Sequence, residues 1–400
     1  MPAPPAPRRS SSLLTVGLYL GLVQLCFALT WTVYLIFLPR LAGQAGIAAT
    51  WVSAILMLDQ LVFTVCDWGA GVLADRAARW MSRLSRVIVI ITVVSAAAFL
   101  LMPFAAPLGA WLFPALIAVW AVTSSALRAP PMVLIGKYAP TPAHPLMAAA
   151  LLLGNGIAGA ASPYLGVALR DADARLPFVL ASVAMIATVI GMRWAERRLA
   201  RNAPAELPVS TGVDLGSAVF FLVAVGLLAV AFQIHFFVNA APGYLHFAKP
   251  PDLEFLMPLF WVGFNLMILP AAGVARRFGA LAGAGIGAWV AAGAAWACNE
   301  ALTLHGLVIA QLVAGAGWGC VLSSAVSGAL AIGRPGREGL LTGSMFSLFA
   351  LGTLTRVALV AAHVSARPEL AAALRYVPAA AWLLAGILLL AGARRESAAK

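Results

Sequence analysis

The sequence LDQLVFTVCDWGAGVLADRAARWMSRLSR, residues 58–86, decides how the rest of the chain is interpreted. It begins as an apolar segment with two carboxylates, Asp59 and Asp67, and continues into a basic stretch from Gly71 to Arg86. An ionisable side chain inside a membrane helix costs about 2.5 kcal/mol or more on insertion scales, so each one is a candidate functional residue. We expect a membrane helix here, followed by a short basic loop over residues 71–79.

The composition points to a membrane protein. Hydrophobic residues make up 62% of the 400 residues and charged residues 10%, whereas soluble domains carry roughly 25% charged residues. The net charge of +12 does not indicate nucleic-acid binding, because the basic residues lie in short segments between apolar runs, as the positive-inside pattern requires. The sequence therefore predicts an integral membrane protein without a nucleic-acid partner.

The apolar runs predict an all-α membrane fold with twelve transmembrane helices. A span needs about 20 mostly apolar residues, and the strand alternation of a membrane barrel is absent. The predicted spans, numbered 1 to 12, are residues 13–38, 50–74, 87–106, 109–135, 144–169, 177–195, 214–240, 253–275, 280–300, 304–331, 339–363 and 375–393.

Charge counts predict the orientation of the spans. Nineteen of the 26 Lys and Arg residues fall in segments on the side of the two termini, six fall on the opposite side, and Arg356 lies inside span 11. The positive-inside rule then places both termini in the cytoplasm. We expect the membrane to be a bacterial inner membrane.

A polar stretch divides the chain into two predicted six-helix bundles. Residues 193–213 hold several Arg, Glu, Pro and Asn residues between spans 6 and 7, so we expect bundles over residues 1–192 and 214–400 with this stretch as a cytoplasmic linker. Residues 273–279, GVARRFG, follow span 8 as residues 71–79 follow span 2. Such a repeat suggests an internal duplication.

The pattern Gly71-x-Leu73-x-Asp75-Arg76-x-x-Arg79 resembles the signature loop of the major facilitator superfamily, with Ala78 and Trp80 at two positions where that signature has other residues. The resemblance implies two bundles that rock about a central cavity, giving a substrate access to each membrane face in turn. It further implies that Asp75, Arg76 and Arg79 act in gating, with Gly71 permitting close approach of helices. The alternative is that these charges only anchor the chain to lipid headgroups.

Two narrower resemblances are partial. A carboxylate at Asp67 and a basic residue at Arg356 are similar to the glycoside–pentoside–hexuronide:cation symporters, although that branch has its two carboxylates one turn apart and here they are eight residues apart. Residues 158–167 resemble the antiport-associated signature but lack two or three of its glycines, which favours a role in helix packing.

The resemblance to the major facilitator superfamily implies that spans 2 and 11 face each other across the two halves, and matched depth then suggests a pair between Asp59 and Arg356. Asp59 is about nine residues from the outer end of span 2 and Arg356 about seven from that of span 11, which differ by roughly 3 Å. They either form an ion pair that closes an outer gate, or Arg356 anchors an anionic substrate and Asp59 balances its charge.

Asp67 and His235 are the candidates for binding a coupling cation, H⁺ or Na⁺. For Asp67 the alternative is a hydrogen bond to the chain that follows. His235 could relay a proton or simply pack in the core. Other polar and aromatic residues within the spans are candidates for lining a substrate cavity: Gln24, Trp31, Tyr34, Asn155, Asn239, Asn265, Gln311 and Trp318.

No nucleotide-binding motif, catalytic arrangement or metal-ligand spacing is present in the sequence, so we expect neither an enzyme nor a cofactor. The combined expectation is a monomeric secondary active transporter that moves a small solute, coupled to H⁺ or another cation. The alternatives are an efflux antiporter for amphiphilic compounds and a transporter-like sensor or assembly factor that moves nothing.

Overall fold

The computed structural model describes residues 8–80, 84–125, 127–201, 215–333, 336–364 and 367–398, and the regular structure within these ranges is helical. The α-helices are α1 (Arg8–Gln44), α2 (Val52–Trp80), α3 (Leu84–Ala105), α4 (Leu112–Ser125), α5 (Ala129–Tyr138), α6 (His144–Ala168), α7 (Arg175–Ile190), α8 (Met192–Ala200), α9 (Leu215–Ile234), α10 (Ala240–Leu245), α11 (Leu253–Leu256), α12 (Pro258–Phe278), α13 (Ala280–Asn299), α14 (Leu304–Ile332), α15 (Glu338–Ala361) and α16 (Pro368–Ala398). A π-helical turn, His235–Asn239, joins α9 to α10. Short 3-10 turns occupy Ala49–Trp51, Ala106–Leu108, Thr141–Ala143 and Pro250–Asp252.

Eleven helical segments of the described chain are long and apolar enough to cross a membrane. Span 4, predicted as one helix over residues 109–135, is instead two helices, α4 and α5, and α4 is a shorter apolar helix. The physical reason is the pair Pro130–Pro131 in the first turn of α5, because proline has no N–H to donate to a carbonyl one turn earlier. The prediction of one continuous helix there was wrong.

The predicted loop over residues 71–79 is also helical. The helix α2 continues to Trp80, because the segment after Gly71 contains three alanines and no proline, and alanine has the highest helix propensity. The corresponding basic residues of the second repeat, Arg276 and Arg277, lie in the last turn of α12. The signature residues are therefore held on rigid helix ends.

The predicted linker begins as helix. Residues 192–200 form α8, whose Ala195, Glu196 and Leu199 are buried, and α8 packs on α1, α3 and α5. Residues 202–213, the remainder of the predicted linker, lie outside the described residues. For description, residues 8–201 are called the N-half and residues 215–398 the C-half.

Glycines bring the helices of each half into backbone contact. In the N-half, a Cβ on Gly154 of α6 would lie 2.0 Å from the carbonyl oxygen of Gly21 in α1. In the C-half, a Cβ on Gly315 of α14 would lie 1.8 Å from the carbonyl oxygen of Phe260 in α12. The two halves meet through α2 against α15 and α6 against α12, and the side chains discussed below lie along these contacts.

Candidate functional site

The functional candidates on α2 form one stripe. Asp59, Phe63, Asp67, Gly71 and Asp75 follow at intervals of four residues. Four residues turn an α-helix by about 400°, so the stripe rotates by about 40° at each step and by about 160° over its length. Its two ends therefore face different neighbours.

Asp75 caps a helix of the other half. Its two carboxylate oxygens accept hydrogen bonds from the backbone N–H of Gly339 (2.7 Å) and of Leu340 (2.8 Å), in the first turn of α15. A carboxylate at a helix N-terminus satisfies free N–H groups and favours the helix dipole. The structure thus links α2 and α15 on the side of the described termini.

Gly71 allows this contact. A Cβ added to it would lie 2.0 Å from the carbonyl oxygen of Gly339, a backbone atom that cannot yield. Arg76 is exposed, and the side chain of Arg79 lies outside the described part of the chain. The geometry brings Gly71 and Asp75 to the interface, and Arg76 points to the exterior.

Asp67 forms a buried ion pair. Its Oδ2 accepts a hydrogen bond from Nη1 of Arg128 at 2.7 Å, with the Asp67 side chain 1% and the Arg128 side chain 20% exposed. Its Oδ1 accepts a hydrogen bond from the hydroxyl of Ser125. The pair lies against α15 of the other half, because a Cβ on Gly343 would be 2.5 Å from the backbone oxygen of Asp67.

Arg128 is the site residue that the sequence interpretation missed, because it was counted among the charges on the side of the termini. It stands at the break between α4 and α5, where its N–H bonds to the carbonyl of Ser125 at 3.1 Å. Its guanidinium lies over the ring of Phe63 at 4.3 Å. The Pro130–Pro131 pair was the signal for this break.

Asp59 and Arg356 do not pair in the structure. The carboxylate of Asp59 accepts a hydrogen bond from the Tyr34 hydroxyl of α1 at 2.5 Å, since the stripe has turned toward the N-half at this level. Arg356 lies over the ring of Phe237 at 4.6 Å, and its buried Nε has no hydrogen-bond partner. The ion pair expected from matched depth stays a prediction for another arrangement of the halves.

Two glutamines tie corresponding helices together. Gln24 of α1 donates to Asn155 of α6 at 2.9 Å, and Gln233 of α9 donates to Thr353 of α15 at 2.9 Å. Counted by predicted spans, these are spans 1 and 5 in the N-half and spans 7 and 11 in the C-half. The repetition supports the internal duplication expected from sequence.

The remaining polar candidates contact other residues of the protein, within the C-half or between the halves. His235 Nε2 lies 3.1 Å from Oε1 of Gln311, and the His235 side chain is buried. The amide of Asn239 donates to the carbonyl of Leu374 at 3.0 Å. Asn265 packs at the contact between the halves, where a Cβ on Gly156 would lie 2.1 Å from its Oδ1.

Aromatic rings fill both halves beside these polar groups. In the N-half, Trp31 stacks with Trp120 (5.8 Å between centroids) and contacts Tyr34 (5.3 Å). In the C-half, Trp318 stacks on Phe232 at 4.6 Å. Trp318 is 2% exposed, so in this conformation it is a core residue.

A cleft of about 530 Å³ opens between the halves on the side opposite the termini. It is bounded by the end of α6 and by the segment before α12, and its lining includes Arg170 and Glu254. The described residues contain no group of three His, Cys, Asp or Glu side chains placed to hold a metal ion.

Known structures share this architecture. The human organic anion transporter MFSD10 (TETRAN) aligns with a TM-score of 0.65 and 17% identity, over 97% of this chain and 100% of that chain. A single-residue variant of the E. coli fucose:proton symporter FucP aligns with a TM-score of 0.69 and 15% identity, over 96% and 99%. A bacterial homologue of the iron transporter ferroportin, in an outward-facing state, aligns with a TM-score of 0.72 and 14% identity, over 94% and 99%.

No protein-family model and no curated protein matches the sequence. The structural matches extend over nearly the whole length of both chains. They agree with the resemblance of the Gly71–Arg79 pattern to the signature loop. The protein has the fold of the major facilitator superfamily.

Proposed function

We propose that the protein is a secondary active transporter that moves a small solute by alternating access of its two halves, coupled to H⁺ or another cation. The observation that carries this proposal is the buried Asp67–Arg128 pair, which lies at a helix break and against the other half. An ionisable group inside a membrane-spanning helix is costly, so by default it is a candidate functional group. The three structurally similar proteins are described as transporters.

The latch in this mechanism is Asp75 at the N-terminus of α15. Opening the side of the termini requires the loss of its two hydrogen bonds to Gly339 and Leu340. Closing it again requires the backbone contact at Gly71, which only a glycine permits. The hydrogen bonds of Asp75 form only in the conformation that is closed on the side of the termini, so they shift the equilibrium between the closed and open conformations.

The coupling site in this mechanism is Asp67. A proton on its carboxylate neutralises the charge that holds Arg128 and Ser125. The guanidinium already occupies the place of a cation beside this carboxylate, which favours H⁺ over Na⁺ as the coupling ion. Release of Arg128 would then loosen the α4–α5 break and change the contact with α15.

Two broader parts of the proposal concern the division into bundles and the orientation of the protein in the membrane. The division into two six-span bundles is supported by the repeated glutamine bonds. The excess of Lys and Arg on the side of the termini supports a cytoplasmic location of both ends, in a bacterial inner membrane. Under this orientation the Asp75 latch closes the cytoplasmic side.

The decisive experiment is flux into proteoliposomes. A thermal-shift screen of the purified protein against metabolite classes identifies a stabilising solute, and uptake of that labelled solute is then measured with and without a pH gradient. We expect gradient-dependent uptake in the wild type and its loss in Asp67→Asn. An exposed control, Asp252→Asn, should behave as the wild type.

Other outcomes separate the remaining functions. An efflux antiporter would move its solute in the direction opposite to proton entry and would confer resistance to amphiphilic compounds when it is expressed. The aromatic rings of both halves also suit such a substrate. Binding without flux in any gradient would contradict transport and identify a sensor or assembly factor.

A further inference from the structure

The most unusual charge in the C-half is Arg356. It lies inside α15, the side chain is partly buried, and the guanidinium rests over Phe237 at 4.6 Å. Its Nε is buried without a hydrogen-bond partner, and no carboxylate of the described residues lies within salt-bridge distance of it. Charges that are removed from water are normally paired, so this partly buried guanidinium has the capacity to bind an anion.

Asp59, the carboxylate matched to Arg356 by depth, is bonded elsewhere in this conformation. Asp59 is 2% exposed and is bonded to Tyr34 within the N-half. The stripe on α2 turns by about 160° between Asp75 and Asp59, which directs Asp59 away from the face that contacts α15. In this conformation no carboxylate of the described chain pairs with Arg356, which leaves the guanidinium available to an anion from outside the protein.

Arg356 lies beside α9 and the turn that follows it. Gly352 and Thr353, one turn earlier, contact Ala229 and Gln233 of α9. The guanidinium rests over Phe237, in the π-helical turn after α9. It is therefore directed toward the end of α9.

The surroundings of Arg356 suit an apolar ring. Phe237 lies in the π-helical turn, a local geometry often found at functional sites, and remains 45% exposed. It packs edge-on against Phe236 at 4.9 Å, and Phe236 in turn contacts Trp261 at 5.6 Å. An aromatic wall thus extends from the guanidinium toward the contact with the N-half.

We propose that Arg356 anchors the carboxylate of an organic anion whose apolar ring packs on Phe237 and the adjoining aromatic wall. The proposal rests on the transport function above and gives its substrate class. The guanidinium suits this role because it presents a planar pair of N–H donors to a carboxylate.

The test is ligand binding and needs no transport. Wild type, Arg356→Gln and Arg356→Lys are purified in a neutral maltoside detergent, and thermal unfolding is followed with acetate, benzoate and naphthalene-2-carboxylate, each beside its neutral amide. We expect the aryl carboxylates to raise the wild-type midpoint by about 1–3 °C near ten times Kd, with the larger ring acting at lower concentration. The amides should act at least tenfold more weakly.

The variants separate a built site from general attraction of anions. Arg356→Gln should lose the carboxylate effect, Arg356→Lys should keep part of it, and Phe237→Leu should weaken the aryl carboxylates while leaving acetate unchanged. Arg170→Gln, which removes a cation lining the cleft between the halves, should respond as the wild type. Equal effects of carboxylate and amide, an unchanged response in both Arg356 variants, or no response to any carboxylate would overturn the proposal.

A lipid phosphate offers the same oxyanion chemistry and is distinguished directly. Phosphatidylglycerol and inorganic phosphate are titrated into the same micelles. Stabilisation by phosphatidylglycerol that depends on Arg356, without a carboxylate effect, would identify a headgroup anchor and refute the substrate site. Because the assay has no flux, carboxylate binding that succeeds while uptake fails would contradict transport and leave the anion site standing.

Discussion

Arg128 and Arg356 share one contact and differ in their partners. Each guanidinium rests over a phenylalanine ring, Phe63 at 4.3 Å and Phe237 at 4.6 Å, although Arg128 stands at the break before α5 and Arg356 lies inside α15. Arg128 is paired with Asp67, whereas Arg356 has an unpartnered Nε. The difference indicates that Arg128 is held by a partner within the protein in this conformation, whereas Arg356 is available to a ligand.

The largest expected effect follows from breaking the paired arginine. Arg128→Gln leaves the carboxylate of Asp67 buried without its cation, which typically costs about 3–5 kcal/mol. The free energy of unfolding, measured by SDS titration in mixed micelles, should fall by that amount. The double variant Asp67→Asn with Arg128→Gln should recover much of the loss.

The matched control for this prediction is Arg40→Gln. Arg40 also lies over a phenylalanine, Phe37 at 4.9 Å, but it is exposed and bonds to a backbone carbonyl. Its loss should cost less than about 1 kcal/mol. Equal losses of unfolding free energy for Arg40→Gln and Arg128→Gln would show that the Asp67–Arg128 ion pair contributes no additional stability.

A second effect tests the helix contact on which the Asp75 latch depends. Gly71→Ala places a Cβ against the carbonyl of Gly339, and overpacking against backbone costs about 1–3 kcal/mol. It should also favour opening on the side of the termini, seen as faster maleimide labelling of a cysteine introduced there. Gly69→Ala is the control on the same helix, since no atom lies within 4 Å of its Cβ position; labelling that changes equally in both variants contradicts the latch.

The hydroxyl of Ser125 should have a smaller part in the same site. A hydrogen bond to a charged group contributes about 1.5–3 kcal/mol, and Ser125→Ala leaves one oxygen of Asp67 without its donor. We expect a loss near the lower end, because Arg128 remains. Thr123→Ala, whose hydroxyl bonds only to carbonyls of its own helix, should unfold as the wild type does.

The smallest effect on stability is expected at the unpaired arginine. In the absence of ligand, Arg356→Gln should change the free energy of unfolding by less than about 1 kcal/mol, because the lost contact with Phe237 is offset by relief of a buried charge. A fall of 3 kcal/mol or more in the free energy of unfolding would mean that Arg356, like Arg128, is held by partners within the protein.

The fold was predictable because its signals are local. Long apolar runs, the distribution of Lys and Arg, and the Gly71–Arg79 pattern sufficed for an all-helical membrane protein of the major facilitator fold. The helix ends were less predictable. Alanines carried α2 beyond Gly71 to Trp80, and two prolines divided span 4.

The site was predictable only in part, because side-chain partners depend on rotation about helix axes. Matched depth placed Asp59 opposite Arg356, but depth does not say which way a side chain points. The stripe directs Asp59 to Tyr34 and Asp67 to Arg128. The pair Pro130–Pro131 indicated a helix break near Arg128. The contact between Arg128 and Asp67 depends on how α2 packs against α4, which the sequence alone does not give.

The four-residue spacing along α2 also limits how this segment can change during evolution. Deleting or inserting one residue between Asp59 and Asp75 would turn the two ends of the stripe by about 100° relative to each other and shift them by about 1.5 Å. Tyr34, Arg128 and Gly339 could no longer be reached together. Homologous genes that keep these three contacts should differ freely at the exposed positions of α2 but should carry no insertion or deletion between them.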